Sequence, residues 1–94
     1  MAGVSGFVWS RTQPDSHYDF IARDADGYLV GRIRRENGLR AGKWSFFANG
    51  VQAAPGTVGC ALSGTVETRD EAIEQLHVAW HAWMAIGGAA QRVR

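Results

Sequence analysis

Three side chains on one stretch of this sequence have the types and spacing of a metal site: Glu74, His77 and His81. Two imidazoles four residues apart share a helix face and can grip one ion, with a carboxylate a turn earlier as a third ligand. The zinc-protease version of this pattern needs Glu directly after the first His as its general base, and Val78 stands there. The same three residues fall opposite a stripe of tryptophans, where solvated polar side chains belong, so the expectation is a solvated face and no metal. Asp24-Ala25-Asp26-Gly27 has the start of a calcium loop without its later acidic ligands. Gly38 to Lys43 (GLRAGK) has too few residues between its glycines for a phosphate loop, and Trp44 occupies the Ser/Thr position that magnesium requires. Cys60 lacks a nucleophile context and reads as a small buried thiol, and Ser63 is not in a nucleophile elbow. No catalytic set is expected, and no cofactor.

The charge pattern carries more. Arg32, Arg34, Arg35, Arg40 and Lys43 crowd into twelve positions against the single acid Glu36, while Asp15, Asp19, Asp24 and Asp26 precede them and Glu67, Asp70, Glu71 and Glu74 follow. Alternation puts Tyr28, Val30, Arg32 and Arg34 on one side of a strand, so the arginines are expected to project away from the helix, joined by aromatics such as Tyr28 or Phe47. The candidate binding surface is Arg32, Arg34, Arg35, Arg40 and Lys43 with Tyr28 and Trp44. Arginines interleaved with aromatics suit phosphate contact and base stacking, and equally an acidic protein partner. The plainer alternative is that they keep an exposed sheet soluble.

The elements that must position these residues read as follows. His17 to Asp24 alternates with period two, Asp26-Gly27 favours a type I′ hairpin turn, and Tyr28 to Arg35 returns antiparallel. Lys43 to Asn49 is an aromatic-rich third strand, ended by Asn49-Gly50. Gly6 to Arg11 offers an edge strand. Val51 to Gly64 reads as a loop with one short extended piece around Val58 to Leu62. Thr68 and Glu71 form a capping box that opens a helix over Arg69 to Ile86, stopped by Gly87. Ala72, Ile73, Leu76, Ala79, Trp80 and Trp83 share its apolar face, and Asp70, Glu74, His77 and His81 the opposite one. The fold class is α+β: a three- to four-stranded antiparallel meander packed in two layers against one C-terminal amphipathic helix.

Ninety-four residues, 46% hydrophobic and 20% charged, describe a single soluble domain with an ordered core over about 6–86 and a flexible tail over 87–94. A formal charge of +1 gives no global argument for nucleic acid or membrane. The lone Cys60 excludes an intramolecular disulfide and favours a reducing compartment. Met1 to Ser10 has no secretory signal pattern, and the weakly polar stretch Val78 to Ala90 is too short to span a bilayer, so a cytoplasmic location is expected.

Two resemblances add to this. Gly31-Arg32-Ile33, then Gly42-Lys43-Trp44-Ser45-Phe46, then Gly64-Thr65-Val66-Glu67-Thr68 leading into Glu71-Ala72, then Trp80 and Trp83, resembles a group of short bacterial proteins with no established activity. It spans roughly 18–84 and implies the same fold. Three antiparallel strands followed by a helix, with a G-x-W strand and a T-x-x-E-A helix, is also similar to the AP2-type plant DNA-binding domain and the arm-binding domains of tyrosine recombinases. That resemblance implies a sheet in the DNA major groove with Arg32, Arg34, Lys43 and Trp44 facing it; the RG-rich first strand of that class is absent here.

The functional expectation is a non-catalytic, protein-binding accessory or regulatory domain, with a small inhibitor from a bacterium or mobile element as a sub-case, presenting an exposed sheet and its arginine-rich hairpin to a protein partner or a second copy. The alternative is a nucleic-acid-binding module using the Arg32 to Lys43 hairpin. Neither membrane nor small-molecule substrate is implied. Burial of Trp9 and Trp44 is left open by the pattern.

Overall fold

The computed structural model describes residues 6–38 and 41–94. In chain order the elements are β1 (Val8–Arg11), β2 (Asp19–Arg23), β3 (Leu29–Arg35), β4 (Trp44–Phe47), α1 (Pro55–Val58), β5 (Ser63–Val66) and α2 (Arg69–Ala85), followed by a 3-10 turn (Gly88–Gln91). The strands form one antiparallel sheet in the order β1-β2-β3-β4-β5. The α+β meander is as expected, with five strands in place of three or four. The fifth is Ser63–Val66, pairing Trp44 with Val66 and Phe47 with Ser63. A run of Ser, Gly and Thr has little strand character of its own, and it is β4 that supplies the hydrogen-bond partners. The region expected to be a loop therefore holds a helical turn over Pro55–Val58 and a strand five residues later than the extended piece anticipated around Val58 to Leu62.

The β2–β3 hairpin closes differently from a type I′ turn. Gly27 alone is left-handed (φ 90°), and no described non-glycine residue has positive φ. The Asp24 carbonyl accepts from Gly27 N (3.0 Å) and Asp24 N donates to the Tyr28 carbonyl (2.8 Å), while Asp24 Oδ1 accepts from Asp26 N and Tyr28 N (both 2.9 Å). A three-residue loop ending in a left-handed glycine brings a bulge with it. The pairing jumps from Ala22↔Gly31 to Arg23↔Leu29, which leaves Val30 without a partner. The bulge changes the phase of β3, so Val30 is buried on the same side as Ile33 instead of sharing a side with Arg32 and Arg34.

The core is Ala22, Val30, Ile33, Trp44, Phe46, Ala48 and Val51 from the sheet and its loops, with Ala72, Leu76, Ala79, Trp80 and Trp83 from α2. Trp44 is a core residue at 9% exposure, and Trp9 is half-buried at its margin. Thr68 Oγ1 accepts from Glu71 N (3.1 Å), and the Glu71 carboxylate accepts from the Thr68 hydroxyl instead of its backbone amide, so half of the reciprocal box forms. Ile86 caps the C-terminus and Gly87 (φ 94°) turns the chain. The residues beyond Gly87, expected to trail off as a flexible tail, are packed back onto the domain: Gly88 is buried against Trp83, and Leu29 N donates to the Val93 carbonyl (2.6 Å). No helix among the described residues is long and apolar enough to cross a membrane.

α2 sits close on the sheet because β3 offers it no side chain at Gly31. A Cβ there would lie 2.3 Å from the Phe47 carbonyl oxygen and 2.9 Å from Leu76 Cδ2. Gly31→Ala is expected to lower unfolding free energy by about 1 to 3 kcal/mol or more in urea melts, because backbone must shift to admit the methyl. Thr68→Ala is expected to cost about 1 kcal/mol by removing the helix cap. A Gly31→Ala protein as stable as wild type would mean that α2 does not press on this strand.

Candidate functional site

Alternation and register sort the sheet residues onto two faces. On the face away from α2, Asp19 opposes Arg34, Arg34 opposes Ser45, Arg32 opposes Phe47 and Ser45 opposes Thr65. Arg32 is held by a bidentate pair with Asp19, Nε to Oδ1 at 2.7 Å and Nη2 to Oδ2 at 2.5 Å, and the Thr12 hydroxyl donates to the same carboxylate (2.7 Å). The Arg32 hydrogen bond holds the Asp19 carboxyl below its ordinary pKa against the opposing effect of burial, and Asp19 in turn raises that of Arg32. Arg34 donates to Glu36 (3.1 Å) and lies over the Phe47 ring at 5.5 Å. Lys43 pairs with Glu67. Arg35 is exposed at the strand end, 5.0 Å above the Tyr18 ring. Arg40 lies outside the described residues.

Tyr28 is drawn into a different structure. Arg92 and Arg94 hold their guanidinium groups 4.1 and 4.3 Å from its ring centre. Arg92 also bonds Asp24 (2.9 Å) and Asp26 (3.5 Å), and Arg94 donates to the Asp26 carbonyl (3.1 Å). Asp24 is the main reason that the pKa of Arg92 is raised. The acids of the hairpin turn thus fasten the chain's last residues. Of the seven residues expected to form one binding surface, Arg32, Arg34 and Lys43 face outward but are matched to carboxylates, Tyr28 belongs to the tail latch, Trp44 faces the core, and Arg35 has no carboxylate partner among the described residues.

The face toward α2 is only partly covered. α2 packs on β3, β4 and β5, while no residue of β1 or β2 comes within 8 Å of it Cα to Cα. The gap is a cleft. One part, about 340 Å³, is lined by Trp9, Phe20, Ile33, Arg69 and Ile73. The adjoining part, about 410 Å³, shares Phe20 and Arg69 and adds His17, Tyr18, Trp44, Thr68 and Asp70. Phe20 and Trp44 lie nearly parallel, 6.5 Å apart, and Tyr18 is 55% exposed at the mouth. Arg11 opposes Phe20 and lies on the same side of β1 as Trp9, so its side chain is directed to this face. Arg69 lines both parts of the cleft, Arg11 stands beside it opposite Phe20 and Arg35 over the Tyr18 ring, and none of the three has a carboxylate partner among the described residues.

The other end of the opening is occupied by Phe7, stacked on His77 with ring centres 4.1 Å apart and 9° between planes. His77 is therefore half-buried and not on the solvated face expected for it, and its Nε2 has no hydrogen-bond partner among the described residues. His81 stacks on it at 5.6 Å, and Glu74 and His81 are exposed. Burial, then repulsion from His81, lowers the His77 pKa below 6.5, with Glu74 opposing. Among the described residues no three His, Cys, Asp or Glu side chains come together as a metal site.

Comparisons with protein-family models, with curated proteins and with solved structures find no match. The cleft residues Trp9, Phe20, Arg11, Arg69 and Ile73 escaped sequence reasoning. The available signal was the ratio of elements, since one helix cannot cover a sheet this wide.

A folded-state pKa below the unfolded value means that His77 contributes stability above pH 6.5 that is lost as pH falls from there through the folded pKa. His77→Phe keeps the ring stack without the proton. It is expected to lose less stability than wild type between about pH 7 and 5 in urea midpoints. Identical losses in the two proteins would assign the acid sensitivity to other groups.

Proposed function

We propose that this domain is a non-catalytic protein-binding module and that its binding surface is the aromatic cleft between α2 and strands β1 and β2. The observation that carries the reading is the partial cover of the sheet, which leaves Trp9, Tyr18, Phe20 and Ile73 facing an opening; the larger opening of about 660 Å³ beside Arg34 and Arg35 is lined mainly by polar residues. Open apolar surface beside unpaired arginine is the composition of interface hot spots. The arginine hairpin supports binding less well than its sequence implied, because a phosphate or a partner's acid would have to displace Asp19 from Arg32 and Glu36 from Arg34. The same exchange weighs against a sheet that grips DNA through Arg32, Arg34 and Lys43. An accessory or inhibitory role toward a larger protein is consistent with a small domain that presents an apolar groove.

The test separates the two faces. Peptides selected from a display library on the immobilised full chain are expected to bind an Arg32→Ala/Arg34→Ala variant within about twofold of wild type and an Ile73→Glu variant at least about tenfold more weakly, with folding checked by circular dichroism. The opposite ranking would move the site to the arginine face. In parallel, labelled single- and double-stranded DNA and RNA are expected to show no binding that weakens steeply between about 50 and 200 mM salt. Tight, salt-sensitive binding abolished by the arginine variant would replace this reading with the nucleic-acid one.

A further inference from the structure

We infer that the occupant of the cleft is an amphipathic α-helix of a partner protein, seated alongside α2 and carrying acidic side chains on the flanks of its apolar face. The inference rests on the reading of the cleft as the binding surface and goes on to its partner's chemistry. Three observations on the chain converge on it.

The first is width. A helix with its side chains is about 10 Å across and strands are spaced by about 4.8 Å, so one helix covers two or three strands. α2 takes β3 to β5. On the inner face of β1 and β2, Ala22 is already buried and Phe7 covers one end, and along the strip left open at Trp9 and Phe20 a second helix beside α2 would extend the helical layer. The second is the floor. Trp9, Phe20 and Ile33 lie beneath the opening and Ile73 forms its wall, a surface that suits aliphatic and aromatic side chains recurring at i, i+3 or i+4, and i+7.

The third is charge. Every described cation on the outer face of β3 and β4 is matched to an acid: Arg32 to Asp19, Arg34 to Glu36 and Lys43 to Glu67. Around the cleft the pattern is inverted. Arg11 makes only a 3.4 Å contact to the Pro14 carbonyl, Arg35 lies over Tyr18, and Arg69 lines both parts of the opening, with Asp70 as the acid beside them. Arg69 in the lining, with Arg11 and Arg35 beside it and none of them paired to a carboxylate, selects a helix with Asp or Glu at its margins and repels a basic one. Arg69 stands in the first turn of α2, where the helix dipole is unfavourable to a cation, so a carboxylate close to it is favoured twice.

The experiment reads partner chemistry directly. Randomised peptides of about 16 residues, enough for about four helical turns, are selected on the full-length wild-type chain and on an Arg11→Glu/Arg35→Glu/Arg69→Glu variant. All three side chains are partly or wholly exposed, and circular dichroism confirms that the variant folds. Wild type is expected to enrich apolar residues at i, i+3 or i+4, and i+7 together with Asp and Glu. The variant is expected to enrich Lys and Arg in their place, and to bind the wild-type peptides at least about tenfold more weakly. Selected peptides with no acidic preference, or a preference unmoved by the reversal, would overturn the acidic helix while leaving the cleft as the site, provided Ile73→Glu still abolishes binding. No enrichment, or enrichment indifferent to Ile73→Glu, would remove both. Oligonucleotide binding lost in the charge-reversed variant would assign the three arginines to phosphate and overturn the inference.

Discussion

One α-helix cannot cover five strands, and the rest of the molecule is arranged around that mismatch. A five-stranded sheet is about 19 Å wide from first strand to last, roughly twice a helix diameter. α2 is placed on β3, β4 and β5, and its heaviest side chains, Trp80 and Trp83, share one core with Phe46, Ala48 and Val51. Gly31 lets it come down close, and the bulge at Val30 delivers two buried β3 residues to the same face. The far side of that contact is covered unevenly, with Ala22 buried and Trp9 and Phe20 only partly so. Phe7 turns in over His77 and fills one end. The other end stays open, and it is there that Trp9, Phe20 and Tyr18 retain exposure.

The electrostatics follow the same division. Where the sheet has no second layer, its outer face is kept in water by charges that neutralise one another, with Arg32–Asp19 as the bidentate pair across strands. Such pairs add little to stability when exposed, and their effect here is to satisfy the arginines locally. The turn acids Asp24 and Asp26 are used a second time, to bind Arg92 and hold the chain's end across Tyr28. Arg23 and Arg94 are satisfied by backbone carbonyls of the hairpin turn, and Arg11, Arg35 and Arg69, which also lack a carboxylate, come to the helix side from three separate elements.

Most of the fold was legible in the sequence. Period-two alternation marked β2 and β3, Asp-Gly marked the hairpin, and Thr68 with Glu71 marked the first turn of α2; each is a local signal in which neighbouring residues satisfy their own backbone groups. β5 was not legible, since Ser-Gly-Thr-Val becomes a strand only when β4 is beside it. The phase of β3 was misjudged for a related reason. Alternation holds along an unbroken strand, and a single left-handed glycine at 27 brought in a bulge that turned Val30 inward.

The candidate site divides along the same line. From residue types alone, the cluster of Arg32, Arg34, Arg35 and Lys43 is the conspicuous feature, because proximity in sequence is all that a sequence displays. Whether a charge is available depends on what lies across the sheet, and Asp19 and Glu67 are thirteen and twenty-four residues away from the cations they meet. Sequence by itself determined an antiparallel meander with a tryptophan-faced helix. Only the tertiary structure decided which strands that helix covers, which arginines are cancelled and which rings are left open, because those outcomes are set by pairings between distant segments and by the plain width of the elements.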